Sequence, residues 1–198
     1  MALGVTLAAL AMGTLYGATW TNETVGQLGD YWNWDTGSVP NDTEEAYFAA
    51  TNIIVVQSQS SLTNKTICIT KDGGTTIFDL ATGTEYYGVD SAYIYGTAWS
   101  DVGSLVILSN GTLHVHNHFA LGSEGGGTQV NRAMIVTGRD SALVTGGDDP
   151  QNWSDGWDIS VGRGGYNNSL TVADGAKVQA FRVFGVGTCA DGNNGYDN

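Results

Sequence analysis

The sequence predicts an all-β fold: a right-handed parallel β-helix (a β-solenoid) carrying an N-terminal cap, with a β-sandwich as the alternative. Three observations lead there. Glycine accounts for 29 of 198 residues, interleaved with Val, Ile and Trp rather than set at the three-residue period of collagen. Four segments end alike, as bulky, variable, bulky, Gly: Tyr93-Ile94-Tyr95-Gly96, Phe119-Ala120-Leu121-Gly122, Ile159-Ser160-Val161-Gly162 and Phe184-Gly185-Val186-Gly187. Their closing glycines lie 26, 40 and 25 residues apart. No segment after residue 18 shows the periodicity and capping of a helix. A unit of about 25 residues, built from short strands and glycine turns, is a solenoid pattern; each turn of chain buries its inward face only against its neighbours. A sandwich also uses short strands and frequent turns, but it leaves the shared ending unexplained.

Taken in order, residues 2–18 (ALGVTLAALAMGTLYGA) are uncharged and short of the roughly 20 apolar residues of a membrane span. They read as the apolar core of an export signal cut after Ala18 or Gly13. No Lys or Arg precedes them, so the signal is either weak or truncated; a buried element of the fold is the alternative. Residues 19–50 are expected to cap the first turn, because an uncovered strand edge invites further pairing. Trp20, Trp32 and Trp34 are expected to pack there. The solenoid then occupies 51–198 and is expected to continue past Asn198. Its first strands are read at 53–57, 66–70 and 75–80, and a recurrent strand at 105–108, 134–137 and 170–173. The turns Asn110-Gly111-Thr112 and Asp174-Gly175-Ala176 follow two of these, where Asn, Asp and Gly accept left-handed backbone. The long interval contains a polar insertion at 147–156.

Composition narrows the function. Against 20 acidic side chains stand 7 basic ones, for a net charge of −13, which repels a phosphate backbone and excludes nucleic acid as a partner. A hydrophobic fraction of 41% is too high for a disordered chain. Two cysteines, Cys68 and Cys189, exclude a disulfide framework and, lying several turns apart, are expected to remain unpaired.

The N-terminal segment carries a resemblance. Trp20, then Gly29-Asp30-Tyr31-Trp32-Asn33-Trp34, Gly37-Ser38-Val39-Pro40-Asn41-Asp42 and Ala46-Tyr47-Phe48 resemble the start of exported bacterial β-helix proteins of the autotransporter-passenger-like and PEP-CTERM-associated kind. The stretch from Leu170 to Val178 (LTVADGAKV), followed by Phe184-Gly185-Val186-Gly187, is similar to the repeat of that group. The resemblance implies a β-helix and a secreted or cell-surface location, and it implies no reaction.

Candidate sites are few. Strand alternation would place His114, His116 and His118 on one face, spaced at about 6.6–6.8 Å per two-residue step, where neighbouring imidazoles could share a transition metal ion. The alternative is a solvent-facing stripe with Leu113, Val115 and Asn117 turned inward. Asp191, Asn193 and Asp197 alternate in a glycine-rich loop, and Asp148, Asp149 and Asp155 cluster in the insertion. Both patterns raise Ca²⁺, although side chains alone supply fewer than its six to eight oxygens. Trp153 and Trp157, in the insertion, are candidates for contact with a glycan or a protein. A polysaccharide lyase or glycoside hydrolase would need carboxylates held across a groove. Asp148-Asp149 is the only adjacent acidic pair of the solenoid, and the basic residues Arg132, Arg139, Arg163, Lys177 and Arg182 are scattered. Sequons at Asn22, Asn41, Asn64, Asn110, Asn152 and Asn167 coincide with turn chemistry. The expectation is therefore a non-catalytic structural or adhesive module, without a resident cofactor. Its partners would be extracellular glycans, proteins or further copies meeting at the solenoid ends. The alternatives are a polysaccharide-active enzyme and a calcium-stabilised matrix protein.

Overall fold

The structure, a computed structural model, describes residues 17–49, 52–57, 61–70, 72–95, 102–122, 129–146, 158–163 and 165–187. In chain order the strands are β1 (Gly17–Thr19), β2 (Val25–Gln27), β3 (Glu45–Phe48), β4 (Ile53–Gln57), β5 (Leu62–Thr70) and β6 (Thr75–Leu80). Next come β7 (Glu85–Tyr95), β8 (Ser104–Ser109), β9 (Thr112–Val115), β10 (His118–Gly122), β11 (Gln129–Val130) and β12 (Arg132–Thr137). The last are β13 (Ala142–Thr145), β14 (Asp158–Arg163), β15 (Gly165–Tyr166), β16 (Ser169–Ala173), β17 (Lys177–Ala180) and β18 (Val183–Val186). Among the described residues the one helical element is a single 3-10 turn, Tyr31–Asn33, and no helix is long and apolar enough to cross a membrane.

The chain alternates between two parallel sheets. One is ten-stranded, with the path β1-β3-β5-β7-β10-β14-β18 and the side branch β9-β13-β17; the other is six-stranded, β2-β4-β6-β8-β12-β16. A two-stranded sheet, β11-β15, lies beside them. The register repeats. Thr66 pairs with Ser91, Ser91 with His118, His118 with Asp158 and Asp158 with Val183.

Pairing at this register superposes equivalent side chains. Burial alternates along β4, β6, β8 and β12, so one face of each strand enters the core, and that face is apolar. Ala46, Ile67, Ala92, Phe119 and Ile159 form one column through the larger sheet, and Phe48, Ile69, Ile94, Leu121 and Val161 a second. Val55, Phe78, Leu108 and Val136 do the same in the smaller sheet. Each Val, Leu, Ile or Phe of these columns buries area worth about 1.5–3 kcal/mol, but only because a neighbouring turn supplies the other wall.

Strands 53–57 and 75–80 fall where the sequence predicts them. β5 is longer than expected because its first half, from Leu62 to Asn64, pairs with β7 across a bulge between Asn64 and Thr66. The bulky residues of three of the four glycine endings stack in the expected register, the ladder shifting by one only at Gly122, which pairs with Arg163. Gly122, Gly162 and Gly187 all take positive φ (115°, 81° and 69°), a region open to glycine without a Cβ penalty. The Tyr93 segment is displaced by one residue: Phe119 pairs with Ala92, not Tyr93. Its outward, hydroxyl-bearing tyrosines explain the shift, since Ala92 and Ile94 are the residues that can enter the core and a one-residue slip exchanges the two faces. The non-glycine residues at positive φ are Asn52, Asn110, Asn131, Asn167 and Asp174, as turn chemistry requires.

The two ends differ. At the N-terminal end Trp20 and Trp34 pack edge to face at 5.4 Å, both against Phe48, and Leu28 is buried beside them. The free edge of β1 is occupied: Asp35 N donates to Thr19 O, and Asp35 Oδ1 accepts from Thr19 N. The carbonyls of Val25 and Gln27 in β2 accept from the side-chain amides of Asn22 and Asn33. Trp32 departs from the expected packing: it stands out in solvent on the 3-10 turn. At the other end the same core columns finish at Val172, Phe184 and Val186, which are exposed.

One charge interrupts the core. Arg132, at the start of β12, is fully buried; its guanidinium donates to Asp72 Oδ1 at 2.7 Å and to Ser104 Oγ at 3.2 Å. Its backbone N–H donates to Asn168 Oδ1 at 2.9 Å, so three turns of chain meet on this residue. Removing one partner of a buried pair leaves an uncompensated charge, which costs about 3–5 kcal/mol. Asp72→Ala should therefore lower the urea unfolding free energy by about 3 kcal/mol, and the double variant Asp72→Ala, Arg132→Met should recover most of that loss.

Candidate functional site

The outward face of the larger sheet concentrates the polar aromatic chemistry. β7 bends between Gly88 and Ser91, where its pairing passes from β9 to β10, and each half presents a cluster. On the first, Tyr87 lies opposite His114 in register, with ring centroids 4.8 Å apart. The Tyr87 hydroxyl meets His116 Nδ1 at 3.0 Å. His114 Nδ1 contacts the Glu85 carboxylate and its Nε2 contacts the Gly146 carbonyl at 2.5 Å. Both ring nitrogens of His114 thus face acceptors, and the residue ties together three successive turns.

The expected histidine stripe is divided between two strands. His114 belongs to β9, His116 lies in the bend that follows, and His118 opens β10, buried and 6.2 Å from the Tyr93 ring. The bend at His116 and Asn117 separates the two strands. Leu113 and Val115 are turned inward as expected, and Asn117 sits at the bend, its N–H donating to Asp90 O. Among the described residues, no group of three or more His, Cys, Asp or Glu is arranged to hold a metal ion.

The second cluster joins Glu45, Tyr47, Cys68, Tyr93 and Tyr95. Register places Tyr47 beside Cys68 and Cys68 beside Tyr93. The Tyr47 hydroxyl donates to the Glu45 carboxylate, and Cys68 is a buried free thiol. Burial, then the nearby Glu45 charge, pushes the Cys68 thiol up to about 12. Burial first, and the Glu45 hydrogen bond second, raises Tyr47; burial and Cys68 raise Tyr95. Inside the core, burial also holds Tyr86 far above its ordinary range, where its hydroxyl donates to Asn64 Oδ1 at 2.6 Å. Tyr47, Cys68 and Tyr95 are therefore held protonated beside the Glu45 carboxylate, and Cys68 is kept from the thiolate that nucleophilic chemistry needs.

Trp153, Trp157, Asp191, Asn193 and Asp197 lie outside the described residues, as do Asp148, Asp149, Asp155 and Cys189. The sequons have a structural use. Asn22 Oδ1 accepts from Thr24 N and Oγ1, and Asn41 Oδ1 from Thr43 N and Oγ1. Asn110 adopts positive φ and donates to Asp79, while Asn64 is buried against Pro40 and Tyr86. The outward tyrosines were missed by sequence reasoning. Their signal is the alternation of 85 with 87 and of 93 with 95, the latter pair being grouped with the bulky residues of the glycine endings.

Comparison of the chain with family models, curated proteins and solved structures returns no match.

The raised thiol and phenols give a signed pH dependence. Between about 8.5 and 12 the unfolded chain loses the Cys68 proton that the folded chain keeps, so the folded state binds more protons and stability falls as pH rises. The slope is about 1.4 kcal/mol per pH unit for the thiol, with the tyrosines adding above their ordinary pKa of about 10. Urea titrations from pH 7 to 11 should show the decline starting near 8.5, and near 10 in Cys68→Ser. In a Cys189→Ser background, folded protein at pH 8 should react with a thiol reagent more than about a thousandfold slower than urea-unfolded protein.

Proposed function

We propose that this chain is a non-catalytic structural or adhesive module, exported to the cell surface or beyond. In this reading it is a right-handed parallel β-helix, closed by residues 19–50 as a cap, that presents loops to extracellular glycans or proteins. The parallel ladders and repeating register favour a helix of stacked turns over a sandwich, whose sheets are characteristically antiparallel. The occupied edges of β1 and β2, with Trp20 and Trp34 over the core, support the cap. The resemblance to autotransporter-passenger-like and PEP-CTERM-associated β-helix proteins supports the exported location.

The observation that carries the reading is how the stack accommodates the insertion. His118 pairs with Asp158 across 40 residues, whereas Ser91 to His118 spans 27 and Asp158 to Val183 spans 25. Leu121 still pairs with Val161, and both are buried. The ladder thus keeps its register and its buried columns on both sides of the long interval. Loop-closure entropy grows slowly, by about 0.6 kcal/mol per doubling of length, so such a scaffold can carry long loops at little thermodynamic cost. Loops held by a rigid scaffold are where binding residues concentrate.

Replacing residues 147–157 with Gly-Ser-Gly tests this. The far-UV spectrum should be unchanged and Tm should move by less than about 4 °C, the shift of roughly 1 kcal/mol in a chain of this size. Retention on immobilised glycans or extracellular matrix proteins should fall at least tenfold. Undiminished retention would overturn the presenting role, and release of reducing ends from a polysaccharide by the wild-type chain would overturn the non-catalytic reading.

A further inference from the structure

We propose that Tyr31 and Trp32 form a stacking platform for a neutral oligosaccharide at the N-terminal end of the molecule. The inference rests on the reading above only in taking the ligand to be held rather than cleaved.

The exposure of this pair has no origin in the core. The exposed Val172, Phe184 and Val186 are the last members of core columns. Tyr31 and Trp32 belong to no ladder. Trp32 is 73% exposed and Tyr31 47%, yet their rings meet at 4.4 Å with a 35° tilt.

The turn that carries them is rigidly built. Asp30 caps it, with Oδ1 accepting from Trp32 N at 3.2 Å, and Asn33 N and Trp34 N donate to the carbonyls of Asp30 and Tyr31. The next two residues are anchors. Asn33 is buried, donating to Gln27 O at 2.8 Å and accepting from Asn22 Nδ2 at 2.9 Å. Trp34 is buried, with Nε1 donating to Leu28 O at 3.1 Å. With Asn33 and Trp34 fixed inside, the preceding two rings are held outside, already ordered.

Large aromatic side chains on a fixed backbone give contact area at low entropic cost, and a ring face suits the apolar C–H face of a pyranose. Asp30 and Asp35 flank the pair in sequence. Each uses Oδ1 in a backbone contact, and neither Oδ2 carries a hydrogen bond among the described residues, which leaves acceptors for sugar hydroxyls. A net charge of −13, together with these carboxylates, disfavours uronate or sulfated chains. The chemistry selects a neutral sugar.

The test is isothermal titration of the full chain with cellohexaose and laminarihexaose as neutral probes and hexagalacturonate as the anionic one. At least one neutral hexasaccharide should bind. Trp32→Ala should weaken it at least tenfold, Trp32→Tyr should restore part of the loss, and Trp153→Ala with Trp157→Ala should bind like wild type. Trp32→Ala should keep the wild-type Tm, because the indole is mostly in solvent. The proposal is overturned if neither neutral probe binds, if Trp32→Ala binds unchanged, or if hexagalacturonate binds as tightly. Binding lost only in the Trp153, Trp157 double variant would overturn this platform and leave the loop-presenting function standing. Cleavage of a probe would overturn the non-catalytic reading and leave the platform.

Discussion

In-register stacking of side chains between successive turns is the constraint on which the rest of the molecule depends. No strand here has a core of its own. Leu108 is buried because Phe78 lies on one side and Val136 on the other, and the same holds along every inward column. Once stacking is required, alternation must be kept through each strand, chain direction must change at turns that tolerate left-handed backbone, and extra residues must leave the ladder. The glycines at 122, 162 and 187 and the asparagines at 52, 110, 131 and 167 meet the second requirement.

The same constraint explains the treatment of polar groups in the interior. Asn64, Tyr86, Ser104 and Arg132 are buried, and each hydrogen-bonds to a residue of another turn. A buried polar group left without such a partner would cost about 1–3 kcal/mol; bonded across turns, it fixes which residue stacks on which. Apolar columns alone tolerate a shift of two residues better than a ladder that must also bring Arg132 to Asp72, 60 residues away in sequence. The buried ion pair thus serves register more directly than it serves stability.

Legibility in the sequence follows the same division. Strands 53–57 and 75–80 were readable because alternation and β-branched residues agree there, and the glycine endings because a backbone requirement leaves a residue-specific mark. The Tyr93 segment was misread because alternation states that two faces exist and not which one is buried; Ala92, small and unremarkable in sequence, is the inward residue because Phe119 packs beside it. The histidine run reads as one strand in sequence but is divided between two. The bend at His116 and Asn117 is imposed by where β7 bends, and nothing within the run records it. Arg132 looked like one of several scattered cations, since its partners lie in distant turns. Trp32 was grouped with Trp20 and Trp34, although its neighbours Asn33 and Trp34 are the ones that the core takes.

Stacking also divides the labour between faces, and that division bears on function. Inward positions are dictated by neighbours, so freedom to acquire a role lies in outward side chains and in loops; the fold alone names no activity. Among the described residues, ionisable groups of the outer sheet face are tied to structure: Cys68 and Tyr47 are held protonated by burial, and His114 bridges Glu85 and Gly146. What the molecule offers outward at its covered end is an aromatic pair, with carboxylates as acceptors. Such a surface has little to grip a charged chain with and much to match a neutral ligand that has one apolar face and a rim of hydroxyls. In the proposed reading, recognition rests on shape and hydrogen bonding, on a scaffold whose core is indifferent to it.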